Sequence, residues 1–429
     1  MFLKIAVNDI RFLGYSAFAS FGTYFCMYAF RKPFTVATFE NIAFIGIDYK
    51  ILLIISQVLG YMLSKFIGIQ LISELSPNRR LPYLLGMILL AEGCLIAFGV
   101  LSAPYNIIFM FLNGLSLGMI WGIVFSYLEG RKFTEILGVA LCSSFIVSSG
   151  AVKSIGLVVL NQLQIAEIWM PAVTGALFLI PFACFAFLLE RMPQPTAEDM
   201  TLRSKRDPMT RSDRKQLIRT FMFPLAILVF FYTCLTALRD FRDNFSREIW
   251  DAIGYEGDVS VYTLAEIPIA IVVLLALGAM SFIKNNKKAF LYYHYLLLFG
   301  VLIIGTNTFL YQMELVSPLV WMMVTGFGLY SCYVPFNGLF FDRMIAVFRI
   351  QGNVGFLIYV ADAFGYLGSI GVLLYKNFGQ GELSWVRFFI NSTYLVALIG
   401  LVVGILSLVY FRSKYKKVQL PSEQQMRIV

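Results

Sequence analysis

Apolar residues run through this chain in long continuous blocks separated by short charged segments, with neither strict alternation nor a narrow helical stripe. Read from charge to charge, the blocks are 12–30, 51–73, 81–101, 104–128, 136–160, 168–189, 220–238, 259–283, 289–313, 315–341, 350–375 and 388–411. A helix needs roughly 20 such residues to carry its own backbone hydrogen bonds across a bilayer core. Barrel strands would alternate, and these blocks do not. The pattern predicts an all-α membrane protein with twelve transmembrane helices.

The polar breaks supply the organisation. The one long break, 190–219, carries Pro193, Pro195, Pro208 and eight Lys or Arg, and it divides the blocks six and six. The expected units are therefore a six-helix bundle over 1–189, a cytoplasmic linker over 190–219, a second six-helix bundle over 220–411 and a cytoplasmic tail over 412–429. The linker's basic residues read either as a positive-inside anchor or as a grip on anionic lipid. With the N-terminus inside, the inner segments hold 24 Lys and Arg against 8 outside, which favours both termini in the cytoplasm.

Composition narrows the function. The 429 residues are 59% hydrophobic and 14% charged, with a mean hydropathy of +0.77. Soluble domains carry about 25% charged residues, so the lipid bilayer is a partner and a soluble protein is excluded. A formal charge of +9 spread over short loops sets topology and does not point to nucleic acid. The six cysteines fall inside apolar blocks with no C-x-x-C pair, so neither a disulfide framework nor a metal site is expected. Met1–Arg11 carries Asp9 and leads straight into a span, unlike a cleaved signal peptide. No G-x-S-x-G, Walker loop or H-E-x-x-H occurs, and the reading is of a monomer that needs no cofactor and is not an enzyme.

The halves look like repeats. Arg31 at the end of the first span and Arg239 at the end of the seventh are 208 positions apart. Asn113-Gly114-Leu115-Ser116-Leu117 parallels Thr325-Gly326-Phe327-Gly328-Leu329, with Arg131 and Arg343 following each, and Ser154-Ile155-Gly156 parallels Ser369-Ile370-Gly371. Two parallel six-helix repeats are the design of the major facilitator superfamily, in which substrate binds midway between the halves.

Particular segments resemble one branch of that superfamily, the organophosphate:phosphate antiporters, which include the glycerol-phosphate and hexose-phosphate transporters. Tyr28-Ala29-Phe30-Arg31-Lys32-Pro33-Phe34 resembles the end of the branch's first helix. Tyr61-Met62-Leu63-Ser64-Lys65-Phe66-Ile67, with Ser73-Glu74 and Ser76-Pro77-Asn78-Arg79 after it, resembles its second helix and loop. Leu238-Arg239, Gly326-Phe327 with Tyr330, and Phe364-Gly365-Tyr366-Leu367-Gly368 resemble its seventh, tenth and eleventh helices. The likeness implies that Arg31 and Arg239 bind a phosphate group, that Lys65 assists, and that the protein is multi-pass in a bacterial inner membrane. The branch's fifth-helix histidine has no counterpart near Val147, Leu75 stands where the loop signature is basic, and Glu266 sits directly before Ile267-Pro268, closer to the proline than expected.

Five charges fall inside spans: Lys65, Glu92, Lys153, Glu266 and Asp362. Each costs roughly 2.5–3.5 kcal/mol at the bilayer centre unless it meets a partner or a wet cavity. At about 1.5 Å per residue Lys65 and Asp362 both lie about 20 Å deep, and Lys153 and Glu266 about 10 Å deep. In the superfamily the second helix lies beside the eleventh and the fifth beside the eighth. The expected inter-bundle pairs are thus Lys65 with Asp362 and Lys153 with Glu266, the alternative being that each charge snorkels or meets a carbonyl.

Arg31 and Arg239 read by themselves as interfacial anchors, or as paired planar donors converging on a dianion. Arg242, Asp240 and Asp243 read as a solvated helix end or as a cluster that tunes or replaces Arg239. Glu92 reads as structural and His294 as interfacial. Tyr28, Trp121, Tyr330, Tyr333 and Tyr366 are candidate cavity aromatics or lipid-facing rings. The expected function is alternating-access transport of a small organic anion, such as a phosphate ester exchanged for phosphate or coupled to protons. A transporter-like receptor for a similar anion is the alternative.

Overall fold

The structure is a computed structural model that describes residues 7–426 apart from 41, 74, 130, 132, 194–210, 284, 338 and 349–353. The centre of the expected linker and Glu74 therefore lie outside the described residues. The first bundle comprises α1 Val7–Tyr28, α2 Tyr49–Ser73, α3 Arg80–Val100, α4 Ile107–Leu117, α5 Ile120–Leu128, α6 Thr134–Asn161 and α7 Met170–Glu190. The second comprises α8 Arg211–Asn244, α9 Ser246–Ala252, α10 Val261–Ser281, α11 Asn286–Gln312, α12 Pro318–Tyr333, α13 Leu339–Phe348, α14 Val354–Leu374 and α15 Trp385–Met426. A hairpin of β1 Ala43–Phe44 and β2 Ile47–Asp48, with Phe44 opposite Ile47, precedes α2.

Eleven stretches among the described residues are long and apolar enough to cross a membrane, and α1 completes the twelve spans. Its Gly14, Ser16, Ser20, Gly22 and Thr23 dilute the hydropathy, which is tolerable because α1 packs against α6 and α7 inside the bundle. The fourth span is two helices, α4 and α5, joined at Gly118 and Met119. The last helix continues to Met426, through most of the stretch expected as a tail after 411.

The bundles meet where α2 packs on α14 and α6 on α10. Small residues permit the closest approaches. A Cβ on Gly150 of α6 would run into the carbonyl of Tyr262 on α10, and one on Gly114 of α4 into the carbonyl of Gln57 on α2. Such backbone-to-backbone contact is the usual device for helix association in lipid. For orientation, the face carrying the start of α1 and α8 and the end of α15 is called the terminal face, and the opposite one the distal face.

Candidate substrate site

Arg31 is presented by the way α1 ends. The N–H groups of Ala29, Phe30 and Arg31 bond back three residues, at 3.0–3.1 Å, and Pro33 then opens a short 3-10 turn over Pro33–Val36. Proline cannot continue the helical ladder, so carbonyls near the break need other donors. Gln57 Nε2 donates to the Arg31 carbonyl at 3.0 Å and to Asn113 Oδ1 at 2.9 Å, while Asn113 Nδ2 donates to the carbonyls of Phe30 at 3.0 Å and Ala91 at 3.2 Å. Amides from α2 and α4 thereby fix the turn. The Arg31 side chain, 4% exposed, lies with its guanidinium carbon 3.9 Å from the Tyr61 ring centroid.

Arg239 comes from the other bundle, near the end of α8. Its guanidinium carbon stands 4.3 Å from the Tyr333 ring centroid, and its Nη2 donates to Asp240 Oδ1 at 2.7 Å. Between the two arginines is a small cavity lined by Tyr28, Arg31, Lys32, Phe145, Ser149, Arg239, Asp240, Asp243 and Tyr330. Both arginines thus face one space at the seam of the bundles, and neither is an interfacial anchor. Among the described residues no carboxylate pairs with Arg31, and its Nε has no hydrogen-bond partner.

The structure corrects the expected partner of Lys153. Lys153 pairs with the Asp243 carboxylate and also donates to the Asp243 carbonyl at 2.5 Å, whereas Glu266 takes Arg242 Nη1 at 2.6 Å. Equal depth along two helices does not specify which side of its helix a residue occupies. The cluster read as a solvated helix end is likewise buried, with Asp240 2% and Arg242 4% exposed. The helix continues past the apolar block to Asn244, carrying these charges into the inter-bundle seam. There Asp243 accepts Lys32, Lys153 and Ser149, all from the first bundle, and Lys32 also donates to Asn244 Oδ1 at 2.8 Å. Sequence reasoning placed Asp243 only within that helix-end cluster and gave Lys32 no role. The available signal was two acids shortly after the repeat arginine.

A second small cavity adjoins the first through the shared Ser149 and Asp243, toward the distal face; Lys153, Arg242, Ser246, Trp250, Tyr262 and Glu266 line it as well. Across both cavities five cations face three carboxylates. One excess positive charge resides on Arg31, and the other is divided between Lys32 and Lys153, which share Asp243. Buried charge without a counter-ion costs several kcal/mol, so an anion is the natural complement.

Lys65 is not in the cavity lining. Its Nζ lies 3.2 Å from Asp362 Oδ2 across the α2–α14 contact, the partner inferred from depth, and Tyr232 donates to Asp362 Oδ1 at 2.6 Å. Of the candidate aromatics, Tyr28 and Tyr330 line the cavity, Tyr333 backs Arg239, and Tyr366 packs edge-on against Tyr61 at 5.1 Å. Trp121 instead stacks on Phe125, one turn along the same helix, at 5.0 Å and lies beside Lys65. His294 is fully buried between α11 and α15, with Nδ1 on the Phe290 carbonyl at 2.9 Å and Nε2 on Ser407 at 3.0 Å. Glu92 is buried against Gly175 of α7, within its own bundle.

Contacts between the bundles bridge both faces. At the distal face Lys50 pairs with Glu248, Arg247 donates to the Val36 carbonyl, and Ser154 bonds Thr263 at 2.8 Å. At the terminal face Arg343 pairs with Glu135 at 2.8 Å.

Two six-helix bundles joined through these helices, with a charged cavity at the seam, define the major facilitator fold, and solved structures agree. The chain is similar to a crystal structure of a D-xylose-proton symporter, with TM-score 0.61 and 14% identity over 93% of this chain and 97% of that one. It is also similar to the major facilitator superfamily proton:xylose symporter XylE bound to 6-bromo-6-deoxy-D-glucose, with TM-score 0.61 and 13% identity over 92% and 95%. The chain belongs to a family of unknown function, DUF5690, whose model matches residues 33–414. No curated protein matches it.

Proposed function

We propose that this protein is a secondary transporter that carries a small organic anion by alternating access, with Arg31 and Arg239 holding the anionic group and both termini in the cytoplasm. What carries the reading is Arg31, a buried guanidinium without a carboxylate, facing Arg239 across a cavity between the bundles. Two planar forks offer paired donors that match phosphate or carboxylate oxygens. The excess of two positive charges over the joined cavities suits a dianion such as a phosphate ester. The structural neighbours are named as sugar–proton symporters; five cations against three carboxylates across the two cavities favour an anion instead.

Alternating access requires inter-bundle contacts that exchange. Lys65–Asp362 in mid-membrane and Asp243 with its two lysines are the charge pairs that break and reform, and an arriving anion competes with Asp243 for Lys32. The test is flux. Purified protein in liposomes preloaded with phosphate exchanges labelled phosphate or a phosphate ester, and an imposed pH gradient distinguishes antiport from proton coupling. Saturable binding without flux replaces transport by a receptor role, and absence of both refutes the reading.

A further inference from the structure

Where α11 and α15 run side by side to the terminal face, their outward surface is layered. On α11, Lys288, Tyr292, Tyr295 and Phe299 recur at three- and four-residue spacing, as do Ile405, Val409 and Arg412 on α15, so each set shares one face, and all are exposed. Apolar side chains give way to tyrosines and then to cations as the helices reach the rim. Lys287 joins that rim, its Nζ 3.7 Å from the Tyr415 ring centroid. Arg412 Nη2 donates to the Tyr295 hydroxyl, and deeper in the seam His294 Nε2 meets Ser407 Oγ at 3.0 Å, so the two helices are stitched together behind and across the wall. Charge sets this groove apart from the rest of the rim. Residues 284–288 and 412–417 hold seven Lys and Arg and no acid, whereas the repeat-related stretches of the first bundle, 76–80 and 190–195, hold three together with Glu190. There Arg80 and Glu190 both meet Tyr127, the guanidinium 5.1 Å from its ring centroid and the carboxylate on its hydroxyl. Among the described residues no carboxylate pairs with Lys287, Lys288 or Arg412, while Lys414 turns away to α8 and donates to the Thr220 carbonyl at 2.9 Å.

We infer that this groove binds one anionic phospholipid, its phosphate held by Lys287, Lys288 and Arg412 and its acyl chains laid along the apolar wall. A soluble anion would use the rim alone and leave the wall bare, and a zwitterionic lipid would bring a positive group of its own to three cations. An anionic lipid answers both. Tyr292 and Tyr295 fall between rim and wall, at the level where amphipathic rings sit against headgroup and glycerol. From Lys288 to the exposed Leu302 the face is about 21 Å long at about 1.5 Å per residue, room for a headgroup and the roughly 15 Å of one hydrocarbon leaflet. The inference needs only the membrane fold and is independent of the transported solute.

The experiment titrates the full-length protein in detergent with dioleoyl phosphatidylglycerol or dioleoyl phosphatidylcholine and counts bound lipid by native mass spectrometry. The first phosphatidylglycerol binds about 10- to 100-fold more tightly than phosphatidylcholine, at about fivefold for each cation. Lys287→Gln with Arg412→Gln removes most of that preference, whereas Arg79→Gln with Arg191→Gln, an equal loss of charge from the first bundle, leaves it in place. All four side chains are exposed, so neither pair disturbs the packing of the bundles. Equal affinity for the two lipids, or equal loss in both double variants, overturns the site and leaves only a diffuse basic rim. Glycerophosphoglycerol, the same headgroup without chains, is the competitor: displacement of the lipid at comparable concentrations would also overturn it, by showing that the wall contributes nothing.

Discussion

Asp243 is the most heavily engaged acid at the seam, and neutralising it gives a sharp test of the pairing. Asp243→Asn keeps the shape of the side chain but leaves Lys32 and Lys153, 3% and 2% exposed, facing an uncharged amide. Removing one partner of a buried pair costs about 3–5 kcal/mol, because the remaining charge stays desolvated. Lys153→Met alone is milder, since Asp243 retains Lys32 and Asn244 stays beside it. Combining the two removes one stranded charge, so the double variant is more stable than the sum of the singles by about 1–3 kcal/mol. Reversible unfolding of purified protein in mixed micelles reads all four corners of the cycle. Additivity within about 0.5 kcal/mol would refute the Lys153–Asp243 contact. A control cycle between Lys153 and Glu266 gives the smaller coupling, and the reverse order would restore the pairing inferred from depth alone.

Two further outcomes follow from the inter-bundle contacts. Asp362→Lys and Lys65→Asp each abolish most exchange in liposomes, while the two together recover part of it; no recovery would mean that the 3.2 Å pair has no role in the cycle. Gly150→Val forces α6 away from the Tyr262 carbonyl on α10, costing about 1–3 kcal/mol and raising thiol-reagent labelling of a cysteine introduced at Ser154, which unchanged labelling would contradict.

Helices were legible in the sequence because a bilayer imposes length and continuity on every span, and eleven of the twelve blocks satisfy that constraint openly. The break of the fourth span at Gly118 and Met119 was not legible, since both segments are equally apolar. Arg31 and Arg239 were found through the repeat, a signal that survives because both bundles must present a group to the same space. Asp243 escaped for a physical reason: local hydropathy prices a charge against lipid, whereas this carboxylate is neutralised by lysines 211 and 90 residues away in the chain. Depth arithmetic paired Lys65 with its observed partner and misassigned Lys153, because rise along a helix carries no information about rotation around it. Trp121 illustrates the same limit, its ring stacked on Phe125 along its own helix and outside the cavity lining.

The most direct test of the central claim is the stoichiometry and affinity of inorganic phosphate binding, measured by calorimetry on wild type, Arg31→Lys and Arg239→Lys. One phosphate per chain is expected, with affinity reduced about tenfold or more in each variant, since a lysine keeps the charge but loses the two-pronged donor. Wild-type affinity in both variants would show that the two guanidinium groups do not share a ligand.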